Sequence, residues 1–319
     1  MRRQYYESTP VITQLVLSIG KLLGRIDAAN LGAPEIRLRK DNQIKTIHSS
    51  LAIEGNTLSL DQVTTLFNEK RVSGPAKDIL EVKNAIRTYA RLRAFDPYDQ
   101  QHYLDAHRLL MEGLVEQAGS YRTKGVGIFK GDQVAHMAPP AWNVHHTMTN
   151  LFDYLKNDPD PLLIRACVFH YEMEFIHPFM DGNGRMGRLW QTVILMQEHP
   201  VFELLPIETF IQSNQQEYYN TLAISDKSGV CTTFIEFMLR MIETALAEIE
   251  TAVRIPLNAS TRMQAFLTQL STEQFTRKDY LAYFRTLSTT TASRDLQRAV
   301  EAGLLERIGD KRTARYRQP

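Results

Sequence analysis

Between His177 and Arg188 the chain reads HPFMDGNGRMGR, twelve residues that gather a base, a hard oxygen ligand, a glycine-flanked asparagine and two arginines. Together they can handle a nucleotide polyphosphate. Gly182 and Gly184 let the backbone approach a ligand closely, so that consecutive N–H groups converge on an anion. Asn183 between them tolerates left-handed geometry and brings a side-chain donor. A helix starting near Gly184 would aim its free N–H groups and positive dipole end at the same point. Arg185 and Arg188, three apart, share a helical face and can reach along a chain of phosphates. Asp181 suits Mg²⁺ when phosphates supply the other oxygens. His177, whose ordinary pKa lies near neutrality, is the natural general base.

The elements that must hold these residues read mostly as helix. Apolar residues recur at three- and four-residue spacing over Thr9–Leu23 and Ile36–Ile53, and Ser59 opens a further helix onto Val63, Leu66 and Phe67. Further helices are expected over Asp78–Leu92, Asp105–Val115, Val144–Leu155, Leu162–Phe175, Gly184–Gln197, Ser213–Asp226 and Thr233–Val253. Between Gly119 and Pro140, glycines alternate with Tyr121, Val126, Ile128 and Phe129 before a Pro-Pro stop, which is hairpin composition.

After Ile255-Pro256 the character changes. Residues 258–319 hold eleven basic and six acidic side chains, a net charge of +5, which leaves −4 for the rest of a chain whose total is +1. Met263–Leu270, Arg277–Phe284 and Thr291–Ala302 read as short helices, followed by alternation about a Gly309-Asp310 turn, as in a β-hairpin. This pattern is that of a winged helix-turn-helix with Ser293, Arg294, Asp295 and Leu296 on its recognition helix. Such a unit serves either DNA phosphates or protein docking. Cys167 and Cys231 lie far apart with no Cys/His cluster, so structural zinc and a disulfide framework are not expected, and both read as buried packing residues. No apolar stretch reaches membrane-spanning length and the start lacks the pattern of a secretion signal, which points to the cytosol.

The twelve-residue string resembles the signature of the Fic (filamentation induced by cyclic AMP) family, HxFx(D/E)GNGRxxR, at every fixed position. The resemblance covers roughly residues 45–250. It implies a mainly α fold: a helical core with a β-hairpin flap, joined here to a small C-terminal winged helix-turn-helix domain. It divides the chain into an N-terminal helical region (1–95), a catalytic core (96–255) with the flap at 119–140, and the C-terminal domain (258–319). It also implies transfer of AMP from ATP, with Mg²⁺, to a Ser, Thr or Tyr hydroxyl of a target protein or of the chain itself. On that footing His177 is the base, Asp181 the Mg²⁺ ligand, Gly182, Asn183 and Gly184 the anion hole, and Arg185 and Arg188 the clamp on the β- and γ-phosphates. Phe179 anchors the loop, and Tyr218 and Tyr219 match a segment that lines the adenine pocket, with core packing as the alternative role.

A second match lies upstream. Ser50, Glu54 and Gly55 fit the family's inhibitory pattern (S/T)xxxE(G/N) on a helix at about 44–54, where Glu54 is expected to pair bidentately with Arg188 and displace the γ-phosphate. Removal of AMP through a Glu54-positioned water is the related activity. His136 is expected in a flap or packing role, His170 as a buried structural histidine, and His145-His146 as a solvated pair. Homodimers occur among similar proteins. The rival reading is a nucleotide-sensing, DNA-binding transcriptional regulator whose output is the C-terminal domain.

Overall fold

The computed structural model describes residues 5–28, 34–130, 133–254, 258–270, 274–284, 287–309 and 314–319. Ile255-Pro256, Gly131, Arg285 and Asp310 fall outside these, as do the side chains of residues 127–137, His136 among them. The chain divides into two compact units, Met1–Gly20 with Asp41–Leu246, and Lys21–Lys40 with Ala247–Pro319.

The helices are α1 (Pro10–Ala28), α2 (Pro34–Ile53), α3 (Leu60–Phe67), α4 (Ala76–Tyr89), α5 (Gln100–Met111), α6 (Val144–Asn157), α7 (Leu162–Ile176), α8 (Asn183–Leu195), α9 (Ile207–Ser213), α10 (Gln215–Ser228) and α11 (Thr232–Arg254). Most follow the apolar spacing of the sequence. The start of α3 is fixed by a capping box, in which Ser59 and Gln62 satisfy each other's backbone N–H groups. Short α9 went unrecognised. Pro206 sets its start and Asn214 separates it from α10, so two helices stand where the spacing suggested one beginning at Ser213.

In the first unit α7 and α8 form the centre. α7 shows no amphipathic stripe because it is buried nearly all round, from Leu162 to Met173 on several faces. An aromatic cluster beside it supports the motif loop. Tyr103 of α5 stacks on Phe179 at 5.4 Å and meets Phe152, Phe169 and Trp190 edge-on. Each such ring, fully buried, contributes on the order of 1.5–3 kcal/mol. The expected hairpin at 119–140 is present as a shorter pair, β1 (Gly127–Lys130) and β2 (Gln133–Met137), antiparallel with a bulge between Ile128 and Phe129. Cys167 and Cys231 are buried and are not joined in a disulfide. His145 and His146 are exposed at the start of α6.

The second unit holds α12 (Ala259–Gln269), α13 (Arg277–Tyr283), α14 (Thr289–Glu301) and a sheet of three short strands in the order β3-β5-β4, with β3 at Phe275–Thr276, β4 at Glu306–Ile308 and β5 at Arg315–Arg317. Its core gathers Met263, Phe266, Phe275, Tyr280, Leu296 and Leu305. The register pairs Ile308 with Arg315, and the expected Gly309-Asp310 turn lies outside the described residues from Asp310 on. Ser293, Arg294, Asp295 and Leu296 lie on α14 as expected, with Asp295 and Leu296 buried. Asp295 is 2% exposed, accepts two hydrogen bonds from the Arg262 guanidinium at 2.7 and 2.9 Å, and takes a third from the Tyr280 hydroxyl. Of the four, Arg294 is the exposed one. No described helix is long and apolar enough to cross a membrane.

Candidate active site

The motif loop joins the C-terminus of α7 to the N-terminus of α8. His177 is the C-cap of α7 at φ 50°, ψ 61°, a left-handed conformation that a non-glycine residue holds only when its surroundings impose it. Those surroundings are visible. Arg122, 2% exposed, donates from Nε to the His177 carbonyl at 2.7 Å and from its terminal nitrogens to the carbonyls of Lys124, Pro139 and Ile176, while its backbone N–H donates to the Pro178 carbonyl. One buried guanidinium therefore fixes both the catalytic backbone and the ends of the flap segment. The His177 Nδ1 lies 3.4 Å from the Glu174 carbonyl. A proton held on Nδ1 in that contact leaves Nε2 as the basic nitrogen.

His107 supports the other end of the loop. Its ring stacks on Phe179 at 3.6 Å and 4°. The Gly119 N–H donates to Nδ1 at 2.8 Å, so the proton sits on Nε2, which donates to the Asp181 carbonyl at 3.0 Å. Burial pulls the His107 pKa down to about 4, which keeps the ring neutral and this arrangement intact. Gly182 then takes φ 87° as the N-cap of α8, and a Cβ there would press on Met111 Sδ at 2.7 Å. Both its dihedral and its neighbour demand glycine.

Asn183 braces the loop: its Oδ1 accepts from the Phe179 N–H at 2.9 Å and its Nδ2 donates one N–H to the Phe179 carbonyl at 3.0 Å. The backbone N–H groups of the first turn of α8, which have no acceptor within the helix, are where an anion would bind. Asp181 Oδ1 accepts from the Gly182 N–H at 2.6 Å and from Arg185 Nη2 at 3.2 Å. Its side chain is 53% exposed and Oδ2 makes no contact among the described residues. A single accessible carboxylate beside an anion cradle fits Mg²⁺, which is held by one or two carboxylates with phosphate oxygens completing its shell. No group of three potential metal-binding side chains occurs among the described residues.

The two arginines are both engaged. Arg188, 2% exposed, donates from Nη2 to Glu54 Oε1 at 2.7 Å and to the Ser50 carbonyl at 3.0 Å, and from Nε to Ser50 Oγ at 3.1 Å. The expected pairing of Glu54 with Arg188 is present but through one carboxylate oxygen. It is not bidentate because Ser50, one turn earlier on α2, occupies the Nε side of the fork. Burial works against the Arg188 charge, yet the neighbouring Glu54 carboxylate, with Tyr218 and Glu174 adding, raises its pKa above the ordinary value. A Cβ on Gly184 would run into Glu54 Oε1, so the carboxylate rests on the first turn of α8 where an anion would bind.

Glu54 reaches this position because α2 ends there. The Gly55 N–H donates to the Ala52 carbonyl at 3.0 Å and the Asn56 N–H to the Leu51 carbonyl at 3.1 Å, a Schellman closure that needs the φ of 89° at Gly55. Arg185, 4% exposed, is held by a residue that sequence reasoning missed: its Nη1 donates to Glu81 Oε1 of α4 at 3.1 Å. Glu81 shares a face of that helix with Ala85 and Thr88, but in sequence a glutamate there reads as a solvated charge. Of the tyrosine pair, Tyr218 is 1% exposed and its hydroxyl lies 3.1 Å from His170 Nε2, among Phe234 and Phe237, whereas Tyr219 is the accessible ring at 42%. His170 is fully buried as expected, and burial lowers its pKa to about 3.

A left-handed histidine, an N-cap glycine and two arginines on the first turns of the following helix define a phosphate-handling loop of the Fic type. Residues 97–195 match the Fic/DOC family. Over its whole length the chain resembles a Fic family protein of Desulfovibrio desulfuricans G20, with 41% identity, 98% of that chain covered and a TM-score of 0.76. The chain belongs to the Fic family. Among curated relatives, the protein adenylyltransferase Fic of Nematostella vectensis is 30% identical over 67% of this chain and 50% of its own length. The protein adenylyltransferase fic-1 of Caenorhabditis briggsae is 29% identical over 66% of this chain and 42% of its own length. The chain thus spans about half or less of the length of these relatives. The solved Fic-1 of C. elegans, 21% identical with a TM-score of 0.63, shares the fold.

Proposed function

We propose that this chain is an autoinhibited protein adenylyltransferase that transfers AMP from ATP to a Ser, Thr or Tyr hydroxyl of a target protein or of itself. The single observation that carries the reading is the Glu54 carboxylate on Arg188, resting on the first turn of α8 beside His177. A protein anion in the cradle of a phosphate clamp is what a nucleotide must displace. The names of the curated relatives support the same activity.

In the reaction His177 Nε2 takes the hydroxyl proton as that oxygen bonds to the α-phosphorus, and the bond from phosphorus to the β-bridging oxygen breaks, so that pyrophosphate leaves with its electron pair. The N–H groups of α8 and the two arginines neutralise the phosphate chain, which is most of what phosphate-group transfer asks of a protein. Mg²⁺, when bound, adds charge neutralisation, and Asp181 is the side chain that would hold it. Glu54 suppresses the reaction by keeping Arg188 from the γ-phosphate, and the same carboxylate, freed from Arg188, could orient water for removal of AMP from a modified target.

Incubation with labelled ATP and Mg²⁺ tests this. Glu54→Gly raises AMP incorporation roughly 10- to 100-fold, the equivalent of one charge-assisted hydrogen bond of ~1.5–3 kcal/mol, and His177→Ala in that background abolishes it. Equal labelling of wild type and Glu54→Gly would overturn the inhibitory role.

A second reading concerns the other unit. Arg277, Lys278, Arg294, Arg298, Arg307 and Arg315 are all exposed there, which favours contact with DNA phosphates by a winged-helix module serving a nucleotide-sensing regulator. A salt-dependent shift of duplex DNA, weakened by Arg294→Ala, supports it, and no shift at low salt removes it.

A further inference from the structure

Arg185 carries a buried charge, and a charge at that depth needs a counter-charge at similar depth. Two carboxylates touch it. Asp181 is 53% exposed, and in the proposed reaction its oxygens turn to Mg²⁺. Glu81 is buried like Arg185 itself, with side-chain exposures of 7% and 5%. The Glu81 carboxylate is fixed at both oxygens: Oε1 accepts from Arg185 Nη1 at 3.1 Å and Oε2 accepts from Asn56 Nδ2 at 2.8 Å. Lys77, one turn away, lies 3.9 Å from Oε1 with a mostly exposed side chain and is peripheral. Asn56 is fixed in turn, since its Nδ2 also donates to the Asp78 carbonyl at 3.1 Å and its Oδ1 accepts from the Leu58 N–H. The Nε of Arg185 is buried and has no partner among the described residues, so the orientation of the guanidinium depends on its two terminal nitrogens.

We propose that Glu81 is the positioning residue for Arg185, holding its guanidinium toward the phosphates while Asp181 is engaged elsewhere, and that Asn56 ties this hold to the turn that carries Glu54. One turn of chain, Glu54-Gly55-Asn56, therefore governs both arginines: Arg188 by direct contact and Arg185 through Glu81. The inference rests on the nucleotide-site reading above.

The test uses the full chain in the Glu54→Gly background, with binding of α,β-methylene-ATP in Mg²⁺ followed by titration calorimetry and AMP transfer followed separately. Glu81→Gln keeps the shape and removes the charge. It raises the Kd of the analogue about tenfold, the worth of one charge-assisted hydrogen bond, and raises the KM for ATP in parallel, while kcat at saturating ATP changes less than threefold. Glu81→Asp, which retains the charge on a shorter arm, recovers part of the loss and carries the test should the Gln variant fold poorly. Asn56→Ala shifts Kd in the same direction by a smaller factor. Binding by Glu81→Gln within twofold of its parent, or tighter than its parent, overturns the proposal. An Glu54→Gly parent that binds no nucleotide overturns the underlying reading, and this inference with it.

Discussion

The ends of α2 and the middle of α4 do opposite things to two arginines three residues apart. Glu54 stands at a helix C-cap, is 31% exposed, and meets Arg188 through one oxygen. Glu81 stands inside a helix, is 7% exposed, and is held at both oxygens. A partner at the end of a helix, next to a glycine and open to water, can leave without dismantling the fold. A partner inside a helix cannot. The difference sets Arg188, held at a helix end, apart from Arg185, held from inside a helix, although the sequence presents them as equivalent members of one motif.

The largest effect that separates them is on stability. Glu81→Ala leaves the Arg185 charge buried with only Asp181 beside it and lowers the unfolding free energy by ~3–5 kcal/mol, as loss of one partner of a buried pair does. Glu54→Gly costs less, about 1–2 kcal/mol, since removing the carboxylate lets water reach the Arg188 guanidinium, which keeps its two bonds to Ser50. Chemical denaturation of both variants measures the gap, and equal losses would erase the distinction.

Next in size is Ser50→Ala. It removes the hydroxyl that takes Arg188 Nε, weakens the seat of α2 by about 1 kcal/mol, and raises AMP incorporation to a level between wild type and Glu54→Gly. Labelling unchanged from wild type would mean that Ser50 has no part in holding the arginine.

The smallest effect is on pH dependence. Burial raises the Glu174 pKa to about 8 and that of Glu208 to about 7, from 4.5. Stability from each is complete below 4.5 and is lost as pH rises through the folded value. His107 and His170, with pKa values lowered to about 4 and about 3, contribute above 6.5 and lose that contribution as pH falls. The two trends oppose each other between 4.5 and 6.5, and above 6.5 only the carboxyl loss remains. Thermal unfolding therefore moves to lower temperature from pH 6.5 to 8, and Glu174→Gln flattens that slope; an unchanged slope would assign the loss elsewhere.

The residues that meet at the candidate site were legible because they are contiguous or follow a fixed spacing: His177 through Arg188, and Ser50 through Gly55. Helix positions followed from apolar periodicity for the same reason. What was not legible depends on contacts between distant residues. Glu81 looks like a solvated charge until α8 approaches from 104 positions away. Arg122 resembles a recurring residue of the flap and His107 an ordinary polar residue, and only the closed loop shows that they support the backbone of His177 and Asp181. The type of Asn183 suggests a donor to an anion, and only the fold shows that its Oδ1 and one N–H of its Nδ2 brace Phe179. In the second unit, the burial of Asp295 within its helix depends on the Arg262 fork, which lies 33 positions earlier in the chain.

The central claim is that Glu54 keeps a complete adenylyl-transfer site inactive. Mass spectrometry of intact wild type and Glu54→Gly, each incubated with Mg-ATP alone and with lysate, tests it most directly. The account predicts the added mass of an adenylyl group on the variant or on a lysate protein, absent from wild type and from Glu54→Gly, His177→Ala. Adenylylation equal in wild type and variant, or none in either while the variant binds ATP, would contradict it.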